Sequence, residues 1–198
     1  MAGHFEALPG GGAAVALDEV EVSILRSLAV QLLELIGPGD EPVEGEDPLA
    51  ALFAEGPSEA PSDPALKRLF PDAYGDEDEE LRAAAADFRR FTENDLRARK
   101  RGDALAVIRS LDSLDSLDTL SSPGEGGVVL KLTADESRAW LGALNDLRLT
   151  IGTRLEVTDE DEGGELYRLP DSDPRKPMVM AYLWLGALQE SLVETLMP

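Results

Sequence analysis

The chain has 198 residues, 40 acids against 18 bases for a formal net charge of −22, and no cysteine. That charge opposes phosphate backbones and acidic membrane surfaces, so neither autonomous nucleic-acid binding nor membrane attachment is expected. The absent thiol excludes disulfides, thiol nucleophiles and Cys-ligated zinc.

Length and composition predict one domain over 1–198. No apolar run approaches the ~18 residues of a membrane span. The opening MAGHFEALPGGG lacks the basic-then-apolar order of a signal peptide, and the expected address is the cytoplasm.

Residues 4–17, HFEALPGGGAAVAL, place two short runs around a Pro-Gly-Gly-Gly turn and predict a β-hairpin. Asp18 and Glu21 then have capping-box spacing. Val20, Ile24, Leu28, Leu32 and Leu35 follow at helical spacing, with Leu25, Leu33 and Ile36 widening the face, and Gly37-Pro38-Gly39 ends the helix. Residues 38–62 read as an acidic Pro/Gly-rich loop holding one short helical candidate, DPLAALF.

Asp63 with Pro64 predicts a capped helix that stops before Pro71. The acids at 76–80 suit a helix N-terminus. They lead into LRAAAADFRRFTENDLRARKRGDALAVIRSL, read as a long helical stretch with a break allowed near Gly102. Leu111, Leu114, Leu117 and Leu120 recur every three residues, a period that drifts around a helix, so 113–126 reads as a linker. GVVLKLT at 127–133 predicts a strand. Thr133 and Glu136 form a second capping box opening the next helix. Residues 158–177 read as an acidic loop with a short strand candidate, ELYRL, before a last helix over 178–196. The expected fold is mainly α, a helical bundle with a small antiparallel sheet built from the N-terminal hairpin and the strand near 127–133.

Both tryptophans open the same pentapeptide, WLGAL, at Trp140 and Trp184, 44 residues apart. On a helix the glycines Gly142 and Gly186 fall about 200° from the Trp. A mid-helix glycine costs about 1 kcal/mol against alanine, which invites close approach by another element. The first expectation is a neighbouring helix at each glycine with each Trp in the core. The second is a partner segment docking across Gly142 and Gly186, flanked by Asn145, Asp146 and Gln189. A basic stretch centred on Arg97, Arg99, Lys100 and Arg101 has two readings: a solvated helix paired with nearby acids such as Glu93 and Asp95, or an electropositive stripe for an acidic partner or RNA polymerase-associated nucleic acid.

Chemistry-bearing patterns are few. His4 is the one histidine, so no Ser-His-Asp set forms without the N-terminus and no multi-histidine metal site exists. TDEDEGGE fails the calcium-loop pattern, with Gly163 at its fifth position and Pro170 at its twelfth. No phosphate-binding glycine loop occurs. The expectation is a non-enzyme with no catalytic residues, no metal and no cofactor.

Four segments in order, DPALKRLFPDAY, DFRRFTENDLRARK, AWLGALNDLRLTIGTRLEV and YLWLGALQESLV, resemble the actinobacterial domain-of-unknown-function family of the actinomycete oxidative stress regulator AosR. The resemblance covers most of 12–196, interrupted by the acidic loop and the linker. It implies a transcription-linked regulator acting by protein–protein contact with a sigma factor or the transcription machinery. The alternative is a structural adaptor or dimer linked to proteolysis or cysteine biosynthesis. Either reading is compatible with a homodimer. The family's thiol sensing through a C-x-x-x-C pair does not carry over to a chain with no cysteine.

Overall fold

A computed structural model describes residues 3–38, 55–75, 77–118, 127–158 and 168–197, with backbone alone for 115–118. In chain order its elements are β1 (Glu6–Ala7), β2 (Ala13–Leu17), α1 (Glu19–Ile36), α2 (Pro64–Leu69), α3 (Glu79–Asp118), β3 (Val128–Leu132), α4 (Ala134–Arg154) and α5 (Lys176–Leu196). The fold is mainly α with a small antiparallel sheet.

The hairpin forms where the glycine turn placed it. Leu8 N–H donates to the Gly12 carbonyl at 3.1 Å, and Gly10, Gly11 and Gly12 all take positive φ. The sheet order is β1-β2-β3, both pairs antiparallel. Alternation decides its faces. Ala13, Val15, Leu17, Leu130 and Leu132 are buried, whereas Ala16, Val129 and Lys131 are exposed.

β2 and β3 each run directly into a capped helix. Asp18 and Glu21 exchange side chain and backbone bonds at the start of α1, and Thr133 and Glu136 do the same for α4. The register from Ala13↔Leu132 to Leu17↔Val128 centres on the Val15–Leu130 pair. The glycine opening each strand therefore lies against the end of the other. A Cβ on Gly12 would strike the Leu132 carbonyl oxygen, and one on Gly127 the Leu17 carbonyl oxygen. The two strands thus meet in a symmetrical antiparallel register, each leading into a capped helix.

The core gathers around Trp140, which is fully buried. Its indole N–H donates to Ser110 Oγ on α3 at 3.3 Å, and its ring meets Phe5 edge-on with centroids 5.9 Å apart. The Phe5 N–H donates in turn to Ser191 Oγ on α5. Trp140, Leu144, Leu147 and Ile151 share the buried face that their spacing predicted. α3 packs against both α1 and α4, and α4 also packs against α5 and α2.

Three expectations change. The buried stripe of α1 is Leu25, Ala29, Leu32 and Ile36, while Val20 and Ile24 are exposed. An apolar-rich helix offers overlapping stripes, and packing against α3 and α4 decides which is buried. α3 is one helix of 40 residues with no break at Gly102, continuing to Asp118 through the first part of the expected linker. Gly102 is exposed with open space around it, while Ala104, Val107, Ile108 and Leu111 are buried on the other side and hold the helix straight through. Trp184 is half-buried, unlike Trp140; the centre of α5 is held by Leu185, Leu188 and Leu192. DPLAALF and most of ELYRL lie outside the described residues; Arg168 and Leu169 form no strand.

Candidate functional site

The first half of α3 carries two adjacent rows of side chains, each stepping by four residues. Arg89, Glu93, Arg97 and Arg101 form the inner row; Phe88, Thr92 and Leu96 form the outer one. Four-residue spacing brings such side chains one above another on a helix.

The inner row is a buried polar network. Glu93 is 3% exposed and accepts from Arg89, and from Arg97 Nη2 at 2.7 Å. Arg89 Nη2 also donates to the Phe70 carbonyl at 2.9 Å and to Asp72 Oδ1 at 2.8 Å. Burial alone would lower the Arg89 pKa, but the hydrogen bonds and charges of Asp72 and Glu93 outweigh it, and the net shift is upward. Arg97 Nη1 reaches the Ile36 carbonyl at 2.5 Å, and Arg101 reaches the Gly37 carbonyl. Two guanidiniums from α3 therefore occupy carbonyls at the C-terminal end of α1, where the helix leaves acceptors unsatisfied and its dipole favours positive charge. The Arg97 guanidinium also lies 4.4 Å from the centroid of the buried Phe70 ring.

Beside this network lies a groove of about 220 Å³ between the segment after α2 and the outer row of α3. Phe70, Pro71 and Ala73 form one wall, Phe88, Thr92 and Leu96 the other, and Arg89 and Glu93 line it between them. Its rim is aromatic. Tyr74 and Phe88 are about half exposed and meet edge-on at 6.3 Å; Phe91, 65% exposed, lies one turn along α3 from Phe88 and outside the groove lining. Arg90 lies over the Phe91 ring and is held by Glu55 and Asp87, each at 3.5 Å. Exposed aromatics grouped around a concavity mark a place where apolar side chains of another molecule can be covered.

The residues singled out from sequence are placed elsewhere or pointed inward. Gly142 faces α3, where a Cβ would come 2.5 Å from Asp103 Oδ2; Gly186 faces α4, where the nearest atom is Arg148 Nε at 3.5 Å. Asp146 is buried and accepts from Lys100 Nζ at 2.6 Å. Gln189 Oε1 accepts from Arg148 Nη1 at 2.6 Å. Of the nine, Asn145 and Arg99 are exposed, whereas Arg97, Lys100, Arg101, Gly142, Gly186 and Gln189 are half-buried. Asp103 sits between Arg99, Lys100 and Asp146; burial raises its pKa, the Asp146 charge adds to that, and the two bases oppose it.

Sequence reading passed over Tyr74, Phe88, Phe91 and Leu96. Phe88 and Phe91 stand three apart in a strongly charged helix, within the family-like segment DFRRFTENDLRARK. Apolar residues in a helix can face core or solvent, and only packing shows that the core lies on the adjoining face. Among the described residues, no group of three or more His, Asp or Glu is arranged to hold a metal ion, and no helix is long and apolar enough to cross a membrane.

Fold and groove together define a mainly helical protein with a small sheet and an aromatic concavity on its longest helix. The chain belongs to the family of the domain of unknown function DUF2017, whose model matches residues 2–196. The oxidative stress regulators AosR of Mycobacterium tuberculosis strain H37Rv and of Mycobacterium bovis are each 33% identical over 180 residues, covering 89% of this chain and 78% of theirs. A Mycobacterium leprae relative that also bears the AosR name is 33% identical over 89% of this chain and 79% of its own. No solved structure matches the chain.

Proposed function

We propose that this chain is a non-catalytic regulator of the oxidative-stress response, acting in the cytoplasm through protein contact with a sigma factor or another component of the transcription machinery. The observation that carries the contact mechanism is the exposed set Tyr74, Phe88, Phe91 and Leu96 beside a rigid polar network. Interface centres are enriched in aromatic residues relative to the rest of a protein surface. The regulatory role is supported by 33% identity to proteins named oxidative stress regulators. The partner surface is assigned to this groove rather than to Gly142 and Gly186, because those glycines face α3 and α4 of the same chain. With no cysteine in these 198 residues, oxidation is not sensed through a thiol of this chain.

The test is an affinity pull-down with the tagged full chain from the cells that express it, with and without peroxide. Recovery of a sigma factor or polymerase subunit is expected. Recovery of protease adaptors or sulfur-transfer proteins, with no transcription component, would overturn the reading and favour a structural adaptor.

A further inference from the structure

We infer that the groove between Pro71 and Leu96 takes a basic amphipathic helix of a protein partner, seating its apolar side chains and setting its Lys and Arg residues against an acidic rim. This rests on the regulator reading above and names the chemistry of the contact.

Shape selects a side chain over a small molecule. A volume of about 220 Å³ falls below the ~300–1,000 Å³ of ligand pockets. The row from Phe88 to Leu96 rises about 12 Å along α3, two helical turns, the span over which a docked helix presents apolar residues at i, i+3 or i+4, and i+7. The receiving wall is fixed in place. Arg89 and Glu93 are 4% and 3% exposed, and Arg89 ties the Phe70 carbonyl and Asp72 to α3. A preorganised surface loses little freedom when it binds. Arg89 Nε is buried and has no acceptor among the described residues.

Charge selects the partner. Asp87 and Asp95 are exposed on α3 beside Phe88 and Phe91, and Glu77, Asp78 and Glu80 are exposed just before them. The nearby bases Arg82 and Arg90 are already held by Glu79, Asp87 and Glu55; Arg99 is an exposed base at the far end of the α3 wall, and Lys67 and Arg68 are exposed at the end of α2, so the acidic side of the groove is the α3 side around Glu77, Asp78, Glu80 and Asp95. An acidic rim on a chain of net charge −22 repels nucleic acid and acidic lipid, and attracts the Lys/Arg-rich helices that proteins use on phosphate backbones. Complementary charge of this kind accelerates encounter and excludes acidic competitors.

The test uses fluorescence anisotropy of the full chain with an 18-residue synthetic helix carrying leucine on one face and lysine on the other, and with the same helix carrying glutamate in place of lysine. The expected result is saturable binding of the leucine–lysine helix that weakens with salt. Phe88→Ala and Phe91→Ala leave the charge unchanged and each lower the affinity about tenfold, in the range of interface aromatic anchors. Val129→Ala, an exposed apolar site on the sheet, leaves it unchanged. Melting curves of the variants confirm that each is folded, and Phe91, the more exposed ring, serves if Phe88→Ala is not.

Equal binding of the leucine–glutamate helix, or unchanged affinity in both aromatic variants, overturns the inference. So does a dimer of the chain that Phe88→Ala converts to monomer, since the groove would then hold a second copy. If the pull-down with Phe88→Ala still recovers a sigma factor while the helix assay fails, the groove assignment falls and the regulator reading stands.

Discussion

The carboxylate of Asp103 on α3 fills the space that a side chain on Gly142 of α4 would need, with Oδ2 2.5 Å from the position of a Cβ there. At Gly186 the corresponding neighbour is the Arg148 guanidinium, with Nε at 3.5 Å, an ordinary contact. A mid-helix glycine is about 1 kcal/mol less favourable than alanine. Gly186→Ala is therefore expected to raise the melting temperature by about 2–4 °C. Gly142→Ala forgoes that gain because the carboxylate must swing aside, and recovers it when Asp103 is also changed to Ala. Thermal melts of the four proteins in this cycle measure the coupling; additivity at Asp103 and Gly142 within about 0.5 kcal/mol would refute the close approach.

Gly127 meets backbone rather than a side chain. Its added Cβ would collide with the Leu17 carbonyl oxygen, which is held in the β2–β3 pairing beside the α1 cap. Gly127→Ala should destabilise by about 1–3 kcal/mol, the range for overpacking. Gly102→Ala, on the open side of α3, should stabilise by up to about 1 kcal/mol. Urea midpoints compared at constant slope decide the two signs.

Glu93 accepts from two guanidiniums at 3% exposure. Removing it leaves Arg89 buried with half its counter-charge gone, although Asp72 and the Phe70 carbonyl remain. Glu93→Ala is expected to cost about 3 kcal/mol, the lower part of the range for breaking a buried ion pair. Surface pairs such as Arg82–Glu79 are expected to contribute about 1 kcal/mol or less. Equal urea midpoints for Glu93→Ala and Glu79→Ala would show that the inner row adds nothing beyond a surface pair.

The raised pKa of Asp103 has a definite sign in stability. The folded chain holds this proton more tightly than the unfolded chain. Stability from this group is greatest below the ordinary aspartate value and falls as pH rises to the raised folded value; above that the loss is complete. Asp103→Asn removes the titration. The variant is expected to be more stable than the parent at pH 7, with the difference shrinking as the pH falls through the carboxylate range. Parallel melts at several pH values check this, and a difference independent of pH would contradict it.

Local chemistry was legible where short-range physics decides the outcome. The glycine turn, the Asp18–Glu21 and Thr133–Glu136 boxes and the Asp63-Pro64 start all formed as their spacing implies, because each bond closes within about four residues. The Trp140 face formed as its spacing implied, but the same ring did not settle α5, where Trp184 is half-buried and Leu185, Leu188 and Leu192 are buried. The face of α1 was not legible, because Val20, Ile24, Leu25 and Ala29 offer overlapping stripes and only packing against α3 and α4 selects one.

The basic stretch shows the limit most clearly. Sequence supplied two uses for Arg97, Lys100 and Arg101, a solvated face or a stripe for a partner. Arg97 pairs with Glu93 four residues away, as the first reading implied, and partners 46 to 64 residues away complete the set: Asp146 for Lys100, the Ile36 carbonyl for Arg97 and the Gly37 carbonyl for Arg101. The aromatic groove is equally a tertiary product, since Phe70 and Pro71 line it with Phe88 and Leu96 only after α2 and α3 have both packed on α4. By itself, the sequence determined the elements, their caps, the absence of thiol chemistry and the family, each set by composition or by neighbours along the chain. Tertiary structure alone decided which apolar and charged side chains are left exposed, because exposure depends on residues far apart in the chain competing for the same neighbours.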